Sequence, residues 1–366
     1  SYPCELIYCP DSQLVQLGLV VDASILFPPE YPYTSSTTKN LRDNFKELYS
    51  ETSNLLKLKQ DDLIIDIGSN DGNLLSNFKD HHRVLGITPE EIGKLAIDRG
   101  IPTIIDYFNE NVVDQILDKY GKAKVITATN VFAHIEGPNK ITQLISDLLT
   151  DDGVFISESH YLASLVEALQ YDTIYHEHLR YYSLCSLKYL LNNNGLHPFH
   201  AKKIVTHGGS IRVYASKLNQ YDEKKSVQDL LDEEKDTICL KSLLKFKDDV
   251  LNSKLKLLSL LDKVKSSGHK IYGISAPSRA STLINYTGID NGIIDCIVEI
   301  KESHKIGKYM PGTRIPVLEE SILYKEQPEY ALMFSWHIAN ELIPKLKTRG
   351  YKGKFIIPLP DPKVVD

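Results

Sequence analysis

No window of this chain approaches about 18 consecutive apolar residues, so a helical membrane span is not expected. Long basic runs are missing too. With a formal net charge of -6, a nucleic-acid partner is not expected, whereas a small anionic ligand needs only a local pocket. Cysteine is scarce: Cys4, Cys9, Cys185, Cys239 and Cys296 are odd in number and widely scattered. That argues against a disulfide framework and fits reduced thiols in a cytoplasmic protein. The opening Ser1-Tyr2-Pro3-Cys4 has neither signal-peptide anatomy nor an initiator Met, and the expectation is that residues were removed upstream. There is no internal repeat and no low-complexity tract. What remains is ordinary for a globular chain: 366 residues, 42% hydrophobic and 25% charged, enough for two or three domains.

Read in order, residues 1–60 offer two short strand-like runs around Pro10-Asp11-Ser12, then the proline-punctuated segment Phe27–Ser36. That segment cannot be regular helix; it is a linker, or a lid presenting Tyr31 and Tyr33. Residues 40–58 read as an amphipathic helix. From residue 61 the pattern alternates strand, loop and helix up to Gly153–Glu158. Such alternation predicts a parallel sheet flanked by helices, with ligands at the carboxyl ends of the strands. The first strand runs into Asp66-x-Gly68-x-x-x-Gly72, whose glycines let a nucleoside or phosphate approach the backbone. Asn70 stands where a dinucleotide fingerprint has its middle glycine. The turn therefore suits the amino-acid end of S-adenosylmethionine better than a pyrophosphate, although any Rossmann-like domain can have such a corner. Residues 220–267 are charged, helical in spacing, and read as one or two long helices linking two halves. A second α/β pattern opens at Lys270–Ser275, and its loop Ala276–Thr282 offers Ser278, Arg279 and a helix N-terminus, the ingredients of a phosphate site.

The densest chemistry lies at Tyr175-His176-Glu177-His178, where two imidazoles, a carboxylate and a phenol are consecutive. These types move protons and stabilise an oxyanion. Taken alone such a tetrapeptide is commonly a surface loop. Its place after a nucleotide-binding pattern and before Thr206-His207-Gly208-Gly209-Ser210 favours a site. That turn, with His207 and Arg212, is either an anion cradle or an ordinary hairpin.

At this point the chain resembles the S-adenosylmethionine-dependent sugar C-methyltransferases that act on nucleotide-linked 4-keto-6-deoxyhexoses. The likeness is carried by Gly68–Gly72, Asn130-Val131-Phe132-Ala133-His134, Asp172–His178, Thr206–Arg212 and Pro311–Pro316, in order over nearly the whole chain. It implies a Rossmann-like class I methyltransferase domain with a parallel-type sheet, a C-terminal Rossmann-like α/β domain and a small N-terminal segment. The expected boundaries are 1–58, 59–217, a helical linker at 218–267, and 268–366. The family's N-terminal zinc module looks degenerate, since Cys4 and Cys9 cannot close a tetrahedral site, and no structural metal is expected.

The resemblance further implies C3 methylation through an enolate, for branched deoxysugar biosynthesis. His178 is the expected base, although neighbouring His176 leaves that choice open in the sequence, with Tyr175 and Glu177 lining the pocket. His134 and Tyr33 or Tyr31 reach the sugar, and His176 and His207 join them on the substrate side. Asp66, Gly68, Ser69 and Asn70 meet the methionine end of S-adenosylmethionine, Asp106 and Phe108 the adenine, and Asn130 the sulfonium side. Thr88 stands where an acid usually grips the ribose diol, with Glu90 or Glu91 as the compensating carboxylate. The nucleotide diphosphate is expected at Arg212 or at Ser278 and Arg279. A monomer or weak dimer is expected, with a nucleotide-diphosphate-sugar as its partner. The competing readings are a C3 epimerase, a non-catalytic nucleotide-sugar binding protein, and methylation of an oxygen or nitrogen.

Overall fold

The computed structural model describes residues 2–26, 34–218 and 220–366. The chain divides into two compact units, Ser1–Ala163 with His176–Ile238, and Ser164–Tyr175 with Cys239–Asp366.

In the first unit β1 (Leu6–Cys9) and β2 (Leu14–Leu17) form a hairpin. Then come β3 (Leu63–Ile67), β4 (Arg83–Thr88), β5 (Thr103–Ile105), β6 (Ala123–Thr129), β7 (Leu149–His160), β8 (Arg180–Tyr181), β9 (His197–Ile204) and β10 (Ser210–Ser216). Seven of these make one sheet in the order β5-β4-β3-β6-β7-β10-β9. All five residues of β3 are buried, as a strand covered on both faces requires. β5, β4, β3, β6 and β7 are mutually parallel. β10 runs against both of its neighbours, so the sheet is mixed rather than purely parallel.

The helix Lys39–Leu56 buries Leu41, Asn44, Phe45, Leu48, Thr52 and Leu56, a three-four spacing that puts them on one face. Leu41, Phe45 and Leu48 join Ile64, Val125, Ile156 and Tyr214 in one core. Each such apolar side chain contributes about 1.5–3 kcal/mol by leaving water. The N-terminal residues are thus not a separate segment, because β2 also pairs with β8 through Val15 and Tyr181.

In the second unit β11 (Ile271–Ile274), β12 (Cys296–Glu299), β13 (Val317–Glu319), β14 (Tyr330–Met333), β15 (Lys354–Ile357) and β16 (Lys363–Val365) order as β13-β12-β11-β14-β15-β16. All pairings are parallel except β15 with β16, which makes β16 an antiparallel edge. The expected linker is two helices. Lys225–Thr237 belongs to the first unit, and Leu240–Ser266 to the second. Glu234 of the former accepts from the backbone N–H groups of Leu184 and Cys185, capping the helix that starts at Leu184. Among the described residues no helix is long and apolar enough to cross a membrane.

Candidate active site

In the first unit the turn after β3 holds Gly68, Asn70 and Gly72 at positive φ, at 73°, 50° and 76°. A Cβ on Gly68 would lie 2.2 Å from Cγ2 of Val131, so glycine alone lets the turn pass the loop after β6. The N–H groups of Gly68 and Ser69 both donate to the Ile87 carbonyl, at 2.7 and 3.0 Å, hanging the turn on the end of β4. Asn70 accepts from the Ser35 N–H at 2.9 Å, and Asp71 from the Ser35 hydroxyl at 2.6 Å and from Arg99 at 3.0 Å. Burial alone would raise the Asp71 carboxyl; these hydrogen bonds and Arg99 outweigh it and hold it below the usual range.

Two polar atoms of the turn, Ser69 Oγ and Asn73 Nδ2, are buried with no partner among the described residues. Such orphans are rare in native proteins and fit a turn built to meet a polar ligand. Asp66 is placed differently from expectation. It is 2% exposed and accepts from Thr127 at 2.6 Å, bracing β3 against β6. Burial pushes its carboxyl up to about 7, against the Thr127 bond, and Glu158 adds to the rise. The folded chain therefore holds a proton that the unfolded chain releases near 3.8. Stability from this group is complete below that value and is lost as pH rises through about 7. Asp66→Asn is expected to lessen the fall in unfolding free energy between about pH 5 and pH 8 by on the order of 1–3 kcal/mol, read by urea denaturation at both pH values.

Thr88, at the end of β4, is buried and donates to Oε2 of Glu90. Beyond β5, Asp106 is exposed and accepts from the Tyr107 N–H at 2.7 Å, while Phe108 is buried. Asn130, at φ 57°, is fixed after β6 by its N–H donating to Glu158 at 2.8 Å.

The loop after β6 and the approach to β8 bring two imidazoles together. His134 and His178 stack with centroids 5.2 Å apart and planes 19° from parallel, and Tyr181 stands edge-on to His178 at 6.5 Å. Desolvation, with the nearby His178 and His207, pushes His134 down to about 3, so its ring is neutral at physiological pH. His207 sits at φ 54° in the turn from β9 to β10. Because β10 opposes both β7 and β9, that turn opens on the same edge as the carboxyl ends of β3, β4, β6 and β7. His176 is set apart from this pair. Its ring lies 3.5 and 3.6 Å from Cys4 Sγ by its two nitrogens, 3.3 Å from the Pro3 carbonyl and edge-on to Tyr2. Glu177 is half-buried beside these histidines, and Tyr175 is half-buried at the end of a segment that belongs to the second unit. Among the described residues no group of three or more His, Cys, Asp or Glu is arranged to hold a metal ion.

Two expectations, both about arginines, change. Arg212 is not an anion cradle: it is fully buried and donates to Glu158 at 2.6 Å, to Glu51 at 2.7 Å and to Asn44 at 3.0 Å. Burial pushes the Glu158 carboxyl up even beside Arg212. For Glu51 burial is outweighed by bonds from His200 and Tyr214 and by Lys202 and Arg212, which hold it well below the carboxylate range. In the second unit Arg279 is spent likewise. Its fork grips Asp172 at 2.8 and 2.7 Å, a third nitrogen meets His337 at 2.9 Å, and its face lies over Trp336, which also donates to Asp172 at 2.8 Å. Only Ser278 of that pair stays exposed, in the first turn of the helix Ser278–Thr287. Tyr31 and Tyr33 lie outside the described residues. Sequence reading missed Asp71 and Asp172 as the carboxylates that organise these loops; Asp71 lies inside the Gly68–Gly72 motif and Asp172 opens the Asp172–His178 motif, which was the available signal.

Residues 40–201 match the family model described as a methyltransferase domain, and residues 205–360 the one described as a C-methyltransferase C-terminal domain. The C-methyltransferase NovU of Streptomyces niveus is 30% identical over 370 residues, covering 100% of this chain and 88% of that protein. Among solved structures, an S-adenosylmethionine-dependent methyltransferase from Clostridium acetobutylicum is 13% identical with a TM-score of 0.38, over 50% of this chain and 93% of that one. Magnesium protoporphyrin IX methyltransferase from Synechocystis, solved with bound SAH, is 14% identical with a TM-score of 0.38, over 48% and 83%. A relative matched along the whole chain, with the glycine turn, its orphaned donors and the paired imidazoles, makes this protein a member of the C-methyltransferase family, an enzyme of Rossmann-like α/β fold that uses S-adenosylmethionine.

Proposed function

We propose that the enzyme methylates C3 of a nucleotide-linked 4-keto-6-deoxy sugar through an enolate. The stacked pair of His134 and His178 carries this reading. A carbon beside a ketone becomes nucleophilic only when a base removes its proton and a donor holds the developing oxyanion. An imidazole pushed down to about 3 is a poor base and a good neutral hydrogen-bond donor, which suits His134 to the O4 oxyanion. That leaves His178 to take the C3 proton. Its ring is held against His134 and Tyr181, so the two roles fall to adjacent, oriented groups. Glu177 lines the sugar pocket, and His207 approaches from the β9–β10 turn.

S-adenosylmethionine supplies an electrophilic methyl group on its sulfonium. Ser69, Asn70 and Asn73 would hold its amino-acid end, Glu90 and Asp106 its ribose and adenine side with Phe108, and Asn130 the sulfonium side. The epimerase reading draws on Thr88 as a sign of a weak cofactor site, and the binding-protein reading on Thr88 and the incomplete cysteine set; membership of a C-methyltransferase family supports methylation over both. Incubating the enzyme with a nucleotide-linked 4-ketosugar in heavy water and S-adenosylhomocysteine is expected to place one deuterium at C3. Replacing S-adenosylhomocysteine by S-adenosylmethionine is expected to add one methyl at the same carbon. A methyl found on oxygen, or methyl transfer with no exchange at C3, would overturn the enolate reading.

A further inference from the structure

We infer that Glu90, held by Thr88, is the carboxylate that grips the ribose diol of the cofactor, which makes it the residue that sets recognition of the ribose in this enzyme. The inference rests on the cofactor assignment above and concerns which side chain replaces the acid missing at the end of β4. A carboxylate about 20 residues beyond the glycine turn is the usual partner of ribose hydroxyls in Rossmann-like sheets, because it faces the crevice at the strand's carboxyl end. Here that position is Thr88, 1% exposed, with its one hydroxyl hydrogen given to Glu90 Oε2. Toward a ligand the threonine offers only lone pairs, whereas a diol brings two donors and needs acceptors with charge.

The local backbone is shaped for the exchange. A Cβ on Gly93 would lie 2.7 Å from the Thr88 methyl, so this glycine admits the methyl and leaves the hydroxyl turned to Glu90. The glycine turn hangs on Ile87, one residue before Thr88. On the other side Tyr107, next to Asp106, feels the charge of Glu90 and of Asp22: burial first, then these two, raise its phenol. The rival acids are more exposed than Glu90. Glu91 is exposed and paired with Lys94, and Asp106 accepts from its neighbour's N–H. Glu90 is half-buried, and Thr88 engages one of its two oxygens.

The test is calorimetric titration with S-adenosylhomocysteine and with its 2′,3′-dideoxy analogue, which lacks both hydroxyls. Glu90→Gln is expected to weaken the first ligand about tenfold and to leave the second within about twofold of the native protein, since only the charge-assisted bonds are lost. Thr88→Val is expected to weaken the first ligand alone, through a carboxylate no longer held. Glu91→Gln is expected to change neither. Equal losses for both ligands in Glu90→Gln, or none, would overturn the role of Glu90 while leaving the cofactor site intact. Failure of the native protein to bind either ligand would overturn the site itself and the inference with it.

Discussion

Arg212→Met is expected to lower the unfolding free energy by about 3–5 kcal/mol, seen as an earlier urea midpoint at unchanged slope. The native guanidinium is fully buried with three partners, Glu158, Glu51 and Asn44. Removing it strands Glu158, itself 0% exposed and bonded otherwise to Asn44 at 2.9 Å. The loss is mainly that of an uncompensated buried carboxyl, not of an attraction. Arg212→Met combined with Glu158→Met is therefore expected to recover much of it, because well-packed apolar residues often replace a buried ion pair without penalty. Arg212→Lys is expected to fall near the single loss, since an ammonium cannot reproduce the fork that reaches both carboxylates. A single-variant loss below about 1 kcal/mol, the range of exposed pairs, would show that the network is hydrated in solution.

The second large effect belongs to the proposed base. His178→Ala is expected to lower kcat by about 10²–10⁴-fold, the usual worth of a positioned proton acceptor, and to abolish deuterium exchange at C3. Binding of S-adenosylhomocysteine is expected to persist, because the residues proposed to hold it lie on the loops after β3, β4, β5 and β6. His176→Ala separates the neighbours: its ring faces Cys4 and Pro3, so exchange at C3 is expected to survive. If His176→Ala loses exchange and His178→Ala keeps it, the two roles are reversed.

Much of this architecture was legible from short-range pattern. The apolar run into the glycine turn, the three-four spacing over 41–56 and the Thr206–Ser210 turn each carry their own signal within a few residues. Arg212 and Arg279 were misread for the opposite reason. Nothing near them in sequence announces their partners: Glu158 is 54 residues from Arg212, Glu51 161, and Asp172 107 from Arg279. An arginine beside glycines or at a helix start looks free until the fold supplies a carboxylate. The same limit hid the unit boundaries. The strip Ser164–Tyr175 packs with residues beyond 239, as Thr282 donating to the Ile174 carbonyl at 2.9 Å illustrates, and no local composition marks it. Short edge elements such as β8, β13 and β16 are set by pairing partners rather than by their own residues.

The reversal of β10 has one more consequence, for how such an enzyme can be diversified. A parallel strand returns a loop to the reactive edge only after a crossover of about a dozen residues or more, usually a helix that must itself be packed. The β9–β10 turn delivers His207 to that edge directly, between two strands that already pair with each other. Residues there can be lengthened or exchanged without rebuilding a helix or touching the glycine turn. A library aimed at altered substrate preference would begin in this hairpin.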